Sequence, residues 1–124
     1  MDPEYIQHLR ERMEKMKTDY RGTVWSVFSI RWEDGNSDED AAILIKSSLA
    51  NTSSHTLHAL QAADIVLADE TADDFILDLT MHELQVTLPA YDAAHARAWL
   101  RQKTELMRSL YESEVKAHGG KVEW

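Results

Sequence analysis

The spacing of apolar residues changes along this chain, and that change limits the folds open to it more than any other feature. Near the N-terminus, Ile6, Leu9, Met13, Met16 and Tyr20 follow at steps of 3, 4, 3 and 4, which places all five on one stripe of a helix. Asp2 is a natural N-cap, Pro3 suits the first helical position, and Glu4 answers the positive end of the helix dipole. Arg10, Glu11, Glu14 and Lys17 make the opposite face polar. The reading is a helix over residues 1–20, its stripe packed on the chain's own sheet, or else on a second copy or a partner.

After Arg21-Gly22 the period shortens. Residues 23–32 are rich in β-branched and aromatic types, which predicts a strand. Val24, Ser26, Phe28, Ile30 and Trp32 then form its core face, with Trp25 and Val27 on the reverse. Glu33, Asp34, Asp38, Glu39 and Asp40 follow in a polar turn. Residues 41–49 fit either a buried strand or a short helix capped by Ser37. An antiparallel strand is preferred, because a polar turn between apolar runs reads as a hairpin. Residues 55–62 and 64–68 are ambiguous, with Leu57, Leu60, Ile65 and Leu67 as core candidates. Phe75, Leu77 and Leu79, then Leu84, Val86 and Leu88, alternate and predict two strands meeting near Met81-His82. Leu77, Met81, Leu84 and Leu88 also have helical spacing. Pro89 ends the run. Asp92 caps a final helix that reaches about Ala117 and stops at Gly119-Gly120.

The expected fold class is therefore α+β in one domain, 1–124. An antiparallel sheet or bent barrel of five to seven strands occupies 22–88, between an N-terminal amphipathic helix (1–20) and a long C-terminal capping helix (90–118). A chain of 124 residues has the length of one domain.

Charge narrows the partners. The net charge is −9, and it is concentrated: between residues 32 and 96, Lys46 stands alone against thirteen acids. Such a surface disfavours nucleic acid and suits a basic protein, which it would steer into contact. With no cysteine, disulfides and zinc-thiolate sites are excluded, and a reducing compartment is expected. Neither a signal peptide nor an apolar run of the ~20 residues needed to span a bilayer is evident, so a cytoplasmic location is expected and no membrane contact.

The stretch from Leu57 to Leu100 resembles the second half of a pleckstrin-homology-like domain. There, two alternating strands (Asp74 to Leu79, Glu83 to Leu88) are followed by a short polar corner at Ala90-Tyr91-Asp92 and a helix bearing Trp99. The resemblance implies a bent barrel closed at one end by that helix, with Trp99 as the plug. Phosphoinositide binders of the family carry basic residues on the first strand pair and its loop. Here that loop holds Glu33, Asp34, Asp38, Glu39 and Asp40, so lipid binding is not carried over and the family's protein-binding role remains. In size and charge the chain is also similar to small acidic secretion chaperones of bacterial pathogens, which dimerise.

No catalytic motif is present. The four glycines form no phosphate loop, and no serine sits in a nucleophile elbow. His55 and His58 would share a helix face and, with Asp64 or Asp69, make a weak metal candidate. Asp34, Asn36, Asp38 and Asp40 open like a calcium loop. Glu39 replaces its required glycine, though, and Ile45 its closing glutamate. The expectation is a non-catalytic adaptor without cofactor or metal. Its partner contacts would be Trp25, Glu33, Asp34, Asp38, Glu39 and Asp40, and a homodimer through the N-terminal helix is an option. The alternative is an acidic chaperone or immunity-type inhibitor that occludes a basic effector.

Overall fold

The computed structural model describes residues 2–32, 37–51, 53–117 and 119, and among these every regular element is helical. In chain order they are α1 (Pro3–Lys15), α2 (Tyr20–Arg31), α3 (Asp38–Asn51), α4 (Ser53–Ala68), a 3-10 turn (Glu70–Ala72), α5 (Asp73–Leu77), a π-helical turn (Asp78–Glu83) and α6 (Ala93–Ala117).

The organising element is α4. From Ala59 through Val66 every residue is buried. Its neighbours are α1, α2, α3 and α6. A helix covered all round must be apolar all round, and α4 has only one acidic residue, Asp64. Ala59, Ala62 and Ala63 leave room for the surrounding helices to approach closely.

The ends of the chain follow expectation. Asp2 caps α1, its Oδ1 accepting from the Glu4 N–H at 3.0 Å. Ile6, Leu9 and Met13 are buried, and α1 lies on α4. These three residues of the stripe are thus covered within the chain. The stripe is also shorter than its spacing suggested. Lys17 adopts a left-handed backbone (φ 55°), and the Thr18 and Lys17 N–H groups donate to the Met13 and Glu14 carbonyls. This closure stops α1, leaves Met16 exposed and passes Tyr20 to α2. At the other end, Asp92 Oδ1 accepts from the His95 N–H at 2.8 Å, and α6 ends at Ala117.

The middle overturns the α+β class, the five-to-seven-stranded sheet or bent barrel over 22–88, and the pleckstrin-homology-like resemblance that depended on it. No strand exists among the described residues. In α2 the buried residues are Val24, Val27, Phe28 and Arg31, which is i, i+3, i+4, i+7. The β-rich composition of this segment is overridden by that stripe and by a strong start. Asp19 accepts from the Gly22 N–H at 3.1 Å, and a Cβ at Gly22 would lie 2.7 Å from the Asp19 carboxylate. In α3 the buried Ala41, Ile45 and Leu49 recur every four residues. In 74–88 the helical set Ile76, Leu79 and Thr80 is buried, while Phe75 and Leu77 pack only partly against the core. After the π turn, Leu84 and Leu88 are buried on irregular chain. Burial does not follow the alternation of Phe75, Leu77 and Leu79; it does alternate at Leu84, Val86 and Leu88, with Gln85 and Thr87 exposed, but on chain that forms no strand.

Candidate functional site

The polar run after Trp32 serves first to start a helix. Ser37 Oγ accepts from the Asp40 N–H, and Asp40 Oδ2 accepts from the Ser37 N–H, both at 3.2 Å. This reciprocal cap satisfies two otherwise orphaned donors. Asp38, Glu39 and Asp40 occupy the first turn of α3, where negative charge is favoured.

Asp38 has a second task. Its Oδ1 accepts from Trp32 Nε1–H at 3.1 Å and from Lys103 Nζ at 2.8 Å. The lysine hydrogen bond holds the carboxyl below its usual range against the opposing effect of partial burial, and the indole N–H assists. Lys103 Nζ lies 5.7 Å from the centre of the Trp99 ring, and Trp99 meets Trp32 edge-on at 6.1 Å. Phe28 stacks behind Trp32 at 5.3 Å. Trp32, Asp38, Trp99 and Lys103 wall a cleft of about 340 Å³ that residues 84–87 also line. Gln85, one of these, has a left-handed backbone (φ 52°). It follows a π turn, a feature often found beside functional sites. A second cleft of about 280 Å³, lined by His82 and Tyr91, shares Gln85 and Val86.

Beyond the cap, α3 turns apolar residues outward. Ile43 is 67% exposed and Leu44 38%. Each lies one turn after an acid, Glu39 before Ile43 and Asp40 before Leu44, so carboxylate and aliphatic side chain share a face. The result is an exposed strip with acids at its head and aliphatic residues behind them.

The expected contacts are distributed as follows. Asp38, Glu39 and Asp40 are together at the start of α3. Glu33 and Asp34 lie outside the described residues, as does Asn36 of the calcium-like loop. Trp25 belongs to another contact. It is part-buried, its ring tilted against Phe75 of α5 at 5.9 Å, so it packs between elements of the fold. Trp99 plugs no barrel and forms one wall of the cleft. Trp32, Trp99, Lys103, Ile43 and Leu44 were missed as site residues. The sequence held one signal for the α3 group, the Ser37-x-x-Asp40 spacing of a helix start. Nothing in it linked Lys103 to Asp38.

Several other titratable groups have structural partners. Asp64 accepts from Arg108 Nη2 at 2.5 Å and from Tyr5 O–H at 3.2 Å. Burial pushes the Asp64 carboxyl up, with Arg108 opposing. Arg97 donates to Asp73 and to the Leu67 and Asp69 carbonyls, pinning the end of α4. His55 and His58 sit one turn apart on α4, and His58 is lowered by burial, then by His55 and Arg12. Among the described residues no three histidine or carboxylate side chains gather as metal ligands. Nor is any helix of the described residues long and apolar enough to cross a membrane.

The chain matches no protein-family model, no curated protein and no solved structure.

Proposed function

We propose that this protein is a non-catalytic interaction module that binds a basic protein partner through the head and outer face of α3. The observation that carries the reading is the pairing of exposed Ile43 and Leu44 with the acids one turn before them. Aliphatic side chains this exposed have a desolvation gain still to be realised, about 25 cal/mol per Å² of apolar surface covered. Flanking carboxylates select a cationic rim and speed encounter. Asp38, held ionised by Lys103, is set to accept hydrogen bonds rather than to deliver a proton, so the adjoining cleft suits binding better than acid catalysis.

Capture from native extract on immobilised protein tests this when run with two variants, Glu39→Lys and Ile43→Asp, at low and high salt. Both positions are solvent-facing, so the fold should survive, as circular dichroism would verify. The expected result is a captured protein that is lost with either variant and weakened by salt. A captured set unaffected by both substitutions would overturn the reading.

A further inference from the structure

Among the described residues, Met16, Ile30, Ile43, Leu44 and Tyr91 are the large apolar side chains left exposed. What stands one turn before each of them tells them apart. Ile43 follows Glu39, Leu44 follows Asp40, Ile30 follows Ser26 and Met16 follows Arg12; Tyr91 is on no helix. Met16 is therefore the one that shares its face with a cation one turn earlier, the converse of the α3 strip.

The surroundings of Met16 keep that sign. Met16 is 55% exposed, and Arg12 and Lys15 are exposed with it. At 100° per residue, Arg12 is about 40° from Met16 around α1, while the acids Glu11 and Glu14 are about 140° and 160° away. Burial, then His55, then Arg12 hold the His58 imidazole of α4 below its usual range, so Arg12 sits beside a second basic group. The carbonyls that end α1 are already answered, because the Lys17 and Thr18 N–H groups donate to the Glu14 and Met13 carbonyls.

His58 also locates this patch. It lies in the first turns of α4, which follows directly on the end of α3. The acidic head of α3 is at the other end of a helix of 14 residues, about 20 Å away. One chain thus presents a basic apolar patch and an acidic apolar patch at separate places.

We infer that the basic partner of α3 is a second copy of this chain, with Met16 and Arg12 of one protomer against Ile43, Leu44, Glu39 and Asp40 of the other. This rests on the α3 reading above and names its partner. Charge complementarity selects the pairing, and the exposed aliphatic side chains supply the surface to be covered. Each copy has one patch of each kind, so copies join reciprocally as a two-fold dimer or head to tail into larger assemblies. The net charge of −9 on every copy opposes approach, but at physiological ionic strength it is screened beyond ~8 Å, and the local charges decide at contact.

Sedimentation velocity of the full chain at physiological salt tests this, with loading up to ~0.5 mM so that a contact with a Kd of that order is populated. The wild-type mass should rise with concentration. Ile43→Asp and Arg12→Glu each alter an exposed side chain, so the fold should survive, as circular dichroism would verify. Each variant alone should be monomeric. Mixed in equal amounts, they should form a one-to-one dimer, because the first keeps an intact α1 patch and the second an intact α3 strip. A monomeric wild type, or a mixture that stays monomeric, overturns the inference. Association that survives Arg12→Glu also overturns it, since α1 would then take no part. A monomeric wild type that still captures a different basic protein through Glu39 and Ile43 would end this inference alone and leave the α3 reading standing.

Discussion

Asp64 lies beneath Tyr5 and Arg108 with 2% of its surface exposed, and it ties α1 to α6 through α4. Removing one partner of a buried pair leaves the other charge uncompensated, at a cost of about 3–5 kcal/mol. Asp64→Ala should therefore lower stability by that order in urea unfolding. Glu39→Ala, at an exposed position with no hydrogen bond among the described residues, should stay within about 0.5 kcal/mol. Tyr5 adds a pH signature. Burial, and then the Asp64 charge, push its hydroxyl up from 10.0 to about 12. The folded state holds this proton more tightly than the unfolded chain. Its contribution is thus fully present below pH 10 and is lost as pH rises through 12. Ultraviolet titration should show one late-ionising tyrosine that is absent from Tyr5→Phe, and the alkaline fall in stability should flatten in that variant. Neither the pairing nor the shift was legible in the sequence, because Tyr5, Asp64 and Arg108 are far apart along the chain and only the helix packing brings them together.

Among the helices, α3 separates the strand and helix readings most sharply. On a strand, Ile43 and Ile45 would share a face. On a helix they are about 200° apart, and the structure accordingly exposes Ile43 and buries Ile45 completely. Ile43→Gln should leave thermal stability nearly unchanged while weakening partner binding. Ile45→Ala should cost about 2–5 kcal/mol. Equal effects at the two positions would contradict this orientation of α3. The sequence did carry the helix start at Ser37 and Asp40, but the apolar run behind it fits both periods. The same ambiguity recurs in α2, where Val24 and Phe28 belong to either face set. The two readings part at Ser26 and Ile30, which the structure exposes, and at Val27 and Arg31, which it buries, the reverse of the strand assignment.

Across the whole molecule, α4 is the element the others are built on, and its alanines set how closely they approach. Ala63 is fully buried. Ala63→Leu adds volume that a packed centre cannot accept without shifting a helix, at about 1–3 kcal/mol. The loss should appear as a lower unfolding midpoint, while the helical signal in the far ultraviolet is retained. Charge is organised at this scale as well. Part of the acidic middle is consumed inside the fold, with Asp64, Asp69 and Asp73 each held by an arginine. The start of α3 keeps its acids at the surface. The sequence total could not make that distinction.

Local chemistry was sufficient for both ends of the chain. A capping aspartate, a proline at the first turn and a long amphipathic period specify α1 and α6 within their own residues, because caps and side-chain stripes act over one or two turns. The central run has no such self-sufficient code. Short apolar segments gain nearly equal burial as strand or helix, and the decision falls to whatever surface they meet. Here that surface is α4, which is covered on every side. Once it is surrounded by helices, no sheet edge remains for residues 23–32 or 74–88 to pair with. The candidate site follows the same division: its acids and cap can be read along the chain, while the Trp32–Trp99–Lys103 walls exist only through contacts between distant helices.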